Sequence, residues 1–466
     1  MVSDPTLQTP AGAARTSNVP LAAAGLAIGV LLSVLDQTVV ATALPQIAAD
    51  VGGIESISWV ATSYLLAATA TGALYGRISD RYGRRATFLT AVAIFTLASL
   101  LCGLADSLSQ LVTFRAVQGV GAGALFVVPT IALPELFPPE RRARVQGYLG
   151  GVFAFSSVGG PLIGGLLTDQ LSWRWIFYIN LPLGLIAIGL VGLGLRLSRG
   201  GTTGRLDLPG SALLVAAVVG VLLVAEWGGR EYGWGSATII GLAAAAVVLL
   251  VAFGWWERRA GHPILPPRLL VNPVLRLAIP ATLLLGGVLY GTIFFLPTYF
   301  QEAHDMSPTI AGLALVPGVF TFVLASAVSG RLAVSAGRAK WLTVAGAVVM
   351  TAGLGLLGRL GEGSSYGLVA AEIVVFGVGV GLIMQLLVTV AQNVVDHADI
   401  GATTSAILST RAMGTALGVS FFGTLLGRQL AAGQPVASAI PHVFGWEVPI
   451  AVALLLCTLA LPARSR

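Results

Sequence analysis

Asp36, Arg115, Glu372 and Arg411 are charged residues set within stretches that are otherwise apolar. A charge near the centre of a bilayer costs roughly 2.5–3.5 kcal/mol even on the most lenient scale, so each needs a partner or a task. Asp36 shares a helix face with Ser33 and Gln37 at i, i+3 and i+4 spacing, a polar stripe that should turn toward protein. Arg115 falls a turn or so inside the outer end of its apolar run with Gln118 and Gly119 on its face, and Glu372 falls at a similar depth in a later run. A desolvated carboxyl favours its neutral form, while a neighbouring arginine favours the charged one. An acid on such a stripe can therefore load and release a proton as its surroundings change; a permanent structural ion pair is the alternative. Arg411, with Thr404 and Thr415 on its face, is placed to balance an acid or to meet an anionic substrate. Gln37, Gln118 and the aromatic residues Tyr64, Tyr290 and Phe294 are candidate substrate contacts, although such rings equally serve core or lipid-facing packing.

The elements that must hold these groups are membrane spans. With 56% apolar residues, only 10% charged ones and a mean hydropathy of +0.88, the chain lies outside the range of soluble domains. Apolar runs of at least about 17 residues mark fourteen spans, centred near Ile28, Ala67, Ile94, Leu125, Phe155, Ile186, Val218, Ala246, Leu285, Pro317, Val349, Val380, Thr415 and Leu454. With the N-terminus inside, the inner junctions and tails hold 20 of the 26 Lys and Arg residues, and the opposite face only Arg174, Arg230, Arg359 and Arg428. That asymmetry places both termini in the cytoplasm. It also explains the net charge of +6 without nucleic acid. The single lysine among so many arginines fits a GC-rich bacterial genome, hence a bacterial cytoplasmic membrane.

The ten residues Gly76 to Arg85 include Gly76, Asp80, Arg81, Gly83 and Arg84, and read as a tightly turned, charged inner loop. Gly76-Arg77 and Gly83-Arg84 recur as Gly330-Arg331 and Gly337-Arg338, but Val334 and Ser335 stand where Asp80 and Arg81 would repeat. Two six-helix halves related by a repeat are a common transporter plan. Linkers near 198–205 and 257–276 divide the chain into residues 1–199, a six-helix bundle; 200–275, a linker with two extra spans; and 276–466, a second six-helix bundle. Ser156, Gly160 and Gly164 repeat every fourth residue, the spacing that lets membrane helices approach closely, and Pro161 should break or kink the same span.

Together these motifs resemble the fourteen-helix drug:proton antiporter family of the major facilitator superfamily. Leu35 to Pro45 is similar to its first-helix motif, Gly76 to Arg85 to its loop motif, Arg115 to Gly123 to its fourth-helix motif, Gly160 to Gly165 to its antiporter motif, and Trp173 to Pro182 to a further one. The resemblance implies an all-α fold of two rocking six-helix bundles plus two inserted helices. It also implies alternating access, with proton import coupled to export of a lipophilic, often cationic compound. Asp36 is then implied to couple protons with help from Arg115, and Gly160 with Pro161 to bias the chain toward antiport; Glu372, from its depth alone, is a further proton-coupling candidate. Asp80, present in one half only, is the candidate conformational latch. A monomer among membrane lipids is expected, with no cofactor beyond the proton gradient. An importer, or a lipid or metabolite exporter of the same fold, is the alternative. An enzyme finds little support, since the four histidines have no metal-ligand spacing. An ATP-driven pump is excluded, since Lys340 is followed by Trp341 and cannot complete a phosphate-binding loop.

Overall fold

Each of the fourteen apolar runs falls within a long helix of the computed structural model, which describes residues 18–51, 57, 59–137, 139–196, 207–229, 231–333, 335–361 and 363–462. In chain order these are α1 (Val19–Val51), α2 (Trp59–Tyr82), α3 (Arg84–Gly103), α4 (Leu108–Glu135), α5 (Pro139–Gln170), α6 (Trp175–Tyr178), α7 (Asn180–Gly194), α8 (Leu208–Trp227) and α9 (Ala237–Glu257). There follow α10 (Pro267–Val271), α11 (Leu275–His304), α12 (Pro308–Leu313), α13 (Val316–Leu332), α14 (Ala336–Leu357), α15 (Tyr366–Gln392), α16 (Ile400–Ala431) and α17 (Val436–Ala460). Local chemistry sets several starts: the side chains of Ser107, Asp207, Ser236, Ser335 and Ser365 each accept a first-turn N–H.

Among the described residues, ten segments are long and apolar enough to cross a membrane by length and composition. The long helices outside that group are α2, α5, α11 and α16. Three of these carry the contacts between the first and second halves, α2 against α16 and α5 against α13. In α2 and α16 buried polar residues, among them Thr62, Ser63, Ser79, Asp80, Thr403, Thr404 and Ser405, dilute the apolar signal. One apolar core joins α1, α3 and α4 through Leu26, Phe88, Phe95 and Leu125; another joins α11, α14, α15 and α17 through Leu285, Met350, Ile383 and Leu454. Leu97, Phe155, Leu193, Val251 and Phe320 stay on the outside, where lipid is their solvent.

Helices α8 and α9 pack on each other, and α8 also touches α2 and α16. Thr62 Oγ1 donates to Glu226 Oε1 at 3.1 Å and the Trp59 and Trp227 rings meet edge-on at 6.0 Å. Ser420 Oγ donates to the Gly228 carbonyl at 3.3 Å, and Trp234 Nε1 to Thr424 Oγ1 at 2.9 Å. The inserted pair thus holds one helix from each half.

Two expectations are corrected. The stretch Gly76 to Arg85 turns tightly, as expected, but it is not a loop over its ten residues: α2 continues through Tyr82 and α3 begins at Arg84, leaving only Gly83, at φ 89°, to turn the chain. That left-handed conformation is one only glycine adopts without strain. Nor does Pro161 break its span, because α5 runs unbroken from Pro139 to Gln170.

Candidate functional site

Asp36 and Arg115 meet at the centre of the first half, each 1% exposed. Arg115 Nη1 donates to Asp36 Oδ2 at 2.5 Å, while Gln118 Nε2 and Asn180 Nδ2 both donate to Oδ1 at 2.9 Å. Arg115 also donates from Nε to the Val60 carbonyl at 3.1 Å and from Nη1 to Gln118 Oε1 at 2.7 Å, and its guanidinium stacks 4.1 Å from the Tyr64 ring centroid. Ser99 Oγ accepts from Gln118 and Asn180 at 3.1 and 3.0 Å and donates to the Phe177 carbonyl at 2.9 Å. Helices α1, α3, α4 and α7 each contribute one corner. Both carboxylate oxygens are satisfied, so the charge is tolerated without water. Removing either ion leaves the other buried and unpaired, at a cost of roughly 3–5 kcal/mol.

Tyr64 and Gln118, expected along a substrate pocket, are instead sealed into this cluster, 1% and 0% exposed. Tyr64 donates its hydroxyl to the Ser33 carbonyl at 3.0 Å and offers its ring to Arg115. Gln37 faces away and is exposed, because one helical residue turns about 100° from Asp36. Asn180 and Ser99 were not singled out by sequence. A signal for Asn180 existed: it is an amide opening an apolar span, and a buried amide is expensive unless bonded.

Besides Asn180, three side chains of the motif Trp173 to Pro182 bond to neighbouring elements. Trp173 Nε1 and Arg174 Nη1 donate to Asp50 at 2.9 and 2.7 Å, Arg174 Nη2 reaches the Ala105 carbonyl at 3.2 Å, and Tyr178 donates to the Gly103 carbonyl at 2.8 Å. These bonds clasp the ends of α1 and α3 and thereby set the depth of Asn180. On the other side of α1, Thr38 donates to the Ser156 carbonyl at 3.2 Å, and a Cβ on Gly160 would fall on the Thr38 hydroxyl. A Cβ on Gly164 would meet Thr42 and the Val39 carbonyl. Gly160→Ala is therefore expected to lower the thermal unfolding temperature, on the order of 1–3 kcal/mol of overpacking, despite alanine's better helix propensity. Gly165→Ala, where a Cβ meets nothing within 4 Å, should leave it unchanged or raised. Equal effects of the two substitutions on thermal unfolding would contradict this packing.

A second cluster closes the arginine-rich face. Arg84 is buried, donating to Asp80 Oδ1 at 2.5 Å, to Ser79 Oγ at 2.8 Å and to Glu135 Oε1 at 3.0 Å. The Gly76 N–H donates to Ser405 Oγ at 2.8 Å. A Cβ on Gly401 would touch both Asp80 oxygens, so the Asp80 carboxylate lies against the first turn of α16, where a helix favours negative charge. Nearby, Gln392 Nε2 bonds the Thr130 carbonyl at 3.4 Å across the halves. Arg81 is half-buried over the Tyr82 ring and takes no part in the seam contact.

Glu372 and Arg411 lie apart from Asp36. Glu372 is 7% exposed in α15, and the guanidinium of Arg411 in α16 lies 5.6 Å from the ring centroid of Phe126 in the first half. Of the three proton-coupling candidates, Asp36 and Arg115 thus share one site, while Glu372 stands on α15. The side chains of Tyr290, Phe294 and Pro161, and residue Val334, lie outside the described residues.

Long apolar helices in two packed groups, a buried ion pair within the first of them and an arginine-rich seam between the groups fit a polytopic membrane protein of the transporter type. The sequence matches the Major Facilitator Superfamily over residues 26–419, and the chain belongs to that family. It is 37% identical over 424 residues to an uncharacterized MFS-type transporter of Mycobacterium tuberculosis (strain ATCC 25618 / H37Rv), covering 89% of this chain but only 62% of that protein's length. It is 34% identical over 412 residues to Multidrug resistance protein 3 of Bacillus subtilis (strain 168), covering 88% of this chain and 80% of the relative. Among solved structures, the proton:xylose symporter XylE matches with a TM-score of 0.67 at 15% identity over 96% of both chains, which shows a shared fold.

Proposed function

We propose that this chain is a proton-coupled efflux antiporter for lipophilic, often cationic small molecules, acting from a bacterial cytoplasmic membrane with both termini in the cytoplasm. The observation that carries the reading is the sealed Asp36–Arg115 pair. A carboxylate held by three donors in a dry interior is a poor structural element, because apolar residues would do as well. It is a good proton switch. Protonation from outside neutralises Asp36, releases Arg115 and loosens α1 from α4; deprotonation toward the cytoplasm restores the bridge. The division into residues 1–199, 200–275 and 276–466 supplies two bundles to rock and a pair of helices that holds both. The Asp80 latch against α16 closes the inner face and opens when the bundles tilt. Efflux as the direction is supported by the name of a relative, Efflux pump FUS6 of Gibberella moniliformis (strain M3125 / FGSC 7600), and by the Gly160-Pro161 motif.

An entering proton supplies about 2.3 kcal/mol per 100 mV and about 1.4 kcal/mol per pH unit. That is sufficient to concentrate a neutral compound tens- to hundreds-fold, since about 1.4 kcal/mol is tenfold. In proteoliposomes of uniform orientation loaded with a fluorescent lipophilic cation, a pH step, acidic on the outer face, should drive the dye toward that face. Movement with the proton instead would support an importer, and movement indifferent to the step would remove proton coupling.

A further inference from the structure

The last spanning helix holds a carboxyl group that no motif covers and the cycle above does not use. Glu447 is 0% exposed in α17. Its Oε2 lies 2.7 Å from Oγ1 of Thr292 in α11, itself 0% exposed and 3.2 Å from the Val288 carbonyl. Its Oε1 has no hydrogen-bond partner and faces Gly291, where any Cβ would collide with it. Gly291 and the Phe422 ring beside it make that end of the carboxyl a small apolar recess.

The elements packed on α17 are α11, α14 and α16. Of their charged and titratable groups, Arg276, Glu302, Arg338 and Arg428 are exposed, as is His442 on α17 itself. His304 packs against Tyr299 and Phe300, Lys340 lies over Trp341, and Arg411 lies over Phe126. Among the described residues no ion pair reaches Glu447.

The hydrogen count decides between the forms. A threonine hydroxyl has one proton, yet Thr292 Oγ1 sits between two oxygens. If Glu447 is ionised, Thr292 can satisfy either the carboxylate or Val288, and a charge remains in an apolar recess with one donor at most. If Glu447 carries a proton, Oε2–H donates to Thr292 and Thr292 donates to Val288. Only the uncharged Oε1 is then left bare. We infer that Glu447 is a second proton-binding site, protonated in this conformation and belonging to the second half as Asp36 belongs to the first. A site of this kind releases its proton when α17 and α11 part enough to admit water to Gly291. The coupling role of that proton rests on the antiporter reading; the protonation does not.

Infrared spectroscopy of the full-length protein in lipid tests it at neutral pH. The C=O stretch of a protonated carboxyl is expected in the wild type, lost in Glu447→Gln and retained in Asp36→Asn. Thr292→Val, which keeps the volume but removes the partner, should shift the band to higher frequency, and serves if the glutamine variant does not fold. A band unchanged in both variants overturns the assignment. In transport, Glu447→Gln should move fewer protons per substrate than the wild type, read with a pH-indicating dye. If Asp36→Asn uncouples transport while Glu447→Gln alters neither band nor proton count, the antiporter stands and this site falls. If the wild type moves substrate without protons, the coupling role falls with the antiporter reading, and the band still decides protonation.

Discussion

Asp36→Asn is expected to reduce proton-driven transport by about 100-fold or more, a loss of at least about 2.7 kcal/mol in the coupled step. Asparagine keeps the shape of the side chain and one acceptor oxygen for Gln118 and Asn180, yet it cannot return a charge to Arg115. The variant therefore imitates the protonated state without the ability to leave it. Substrate binding should persist within a few-fold, because nothing in the sealed cluster is open to a lumen. Initial rates in proteoliposomes under an imposed pH step, set beside equilibrium dye binding to the same preparation, separate the two effects. Arg115→Leu should likewise cost roughly 3–5 kcal/mol of stability, since it leaves the buried Asp36 carboxylate with the amide donors of Gln118 and Asn180 but no cation. Full pH-driven transport by Asp36→Asn would end the assignment of this residue as the coupling acid.

Gly76→Val is expected to open the arginine-rich seam. The backbone N–H of Gly76 bonds Ser405, and any Cβ there would overlap the Gly401 carbonyl and the Ser405 hydroxyl. The overlap exists only while α2 and α16 are in contact, so its cost falls on one conformation. Overpacking of about 1–3 kcal/mol shifts the equilibrium between closed and open inner faces roughly 5- to 100-fold, since about 1.4 kcal/mol is tenfold. A cysteine placed at Thr130, beside Gln392 and on the inner side of the seam, should then react with a membrane-impermeant thiol reagent faster by a comparable factor. The native cysteines give little background, since Cys102 is buried and Cys457 half-buried. Asp80→Asn should act in the same direction but more weakly, removing charge from the first turn of α16 without adding bulk. Unchanged labelling in Gly76→Val would show that this seam does not limit opening.

The amino-acid sequence by itself determined the spans, because a bilayer demands runs of apolar residues whatever their packing. Each span centre read from the pattern falls within a long helix, including α2, α5, α11 and α16, whose polar faces dilute the apolar signal. It also determined Asp36 and Arg115 as a pair worth testing, since an ionisable residue in lipid is improbable without a partner. The close face of α5 followed from Ser156, Gly160 and Gly164 for the same kind of local reason: small residues four apart leave a groove.

Only the tertiary structure decided which groups share a site. Asn180 lies 144 residues from Asp36 in the chain, and Ser99 and Gln118 reach the same few ångströms from two further helices. Helical periodicity reports a face and a depth, but not the neighbour that the face meets. For that reason Glu372 stands on α15, away from the bonds that hold Asp36, and Tyr64 turned from a pocket wall into a brace for Arg115. Glu447 is the clearest case, a lone acid in an apolar run that becomes interpretable only when Thr292 and Gly291 are seen against it. The charged stretch Gly76 to Arg85 divides the same way. Its composition declared a membrane face, whereas Arg84 is held by Glu135, 51 residues on, and the seating of Asp80 on α16 depends on contacts more than 300 residues distant in the chain.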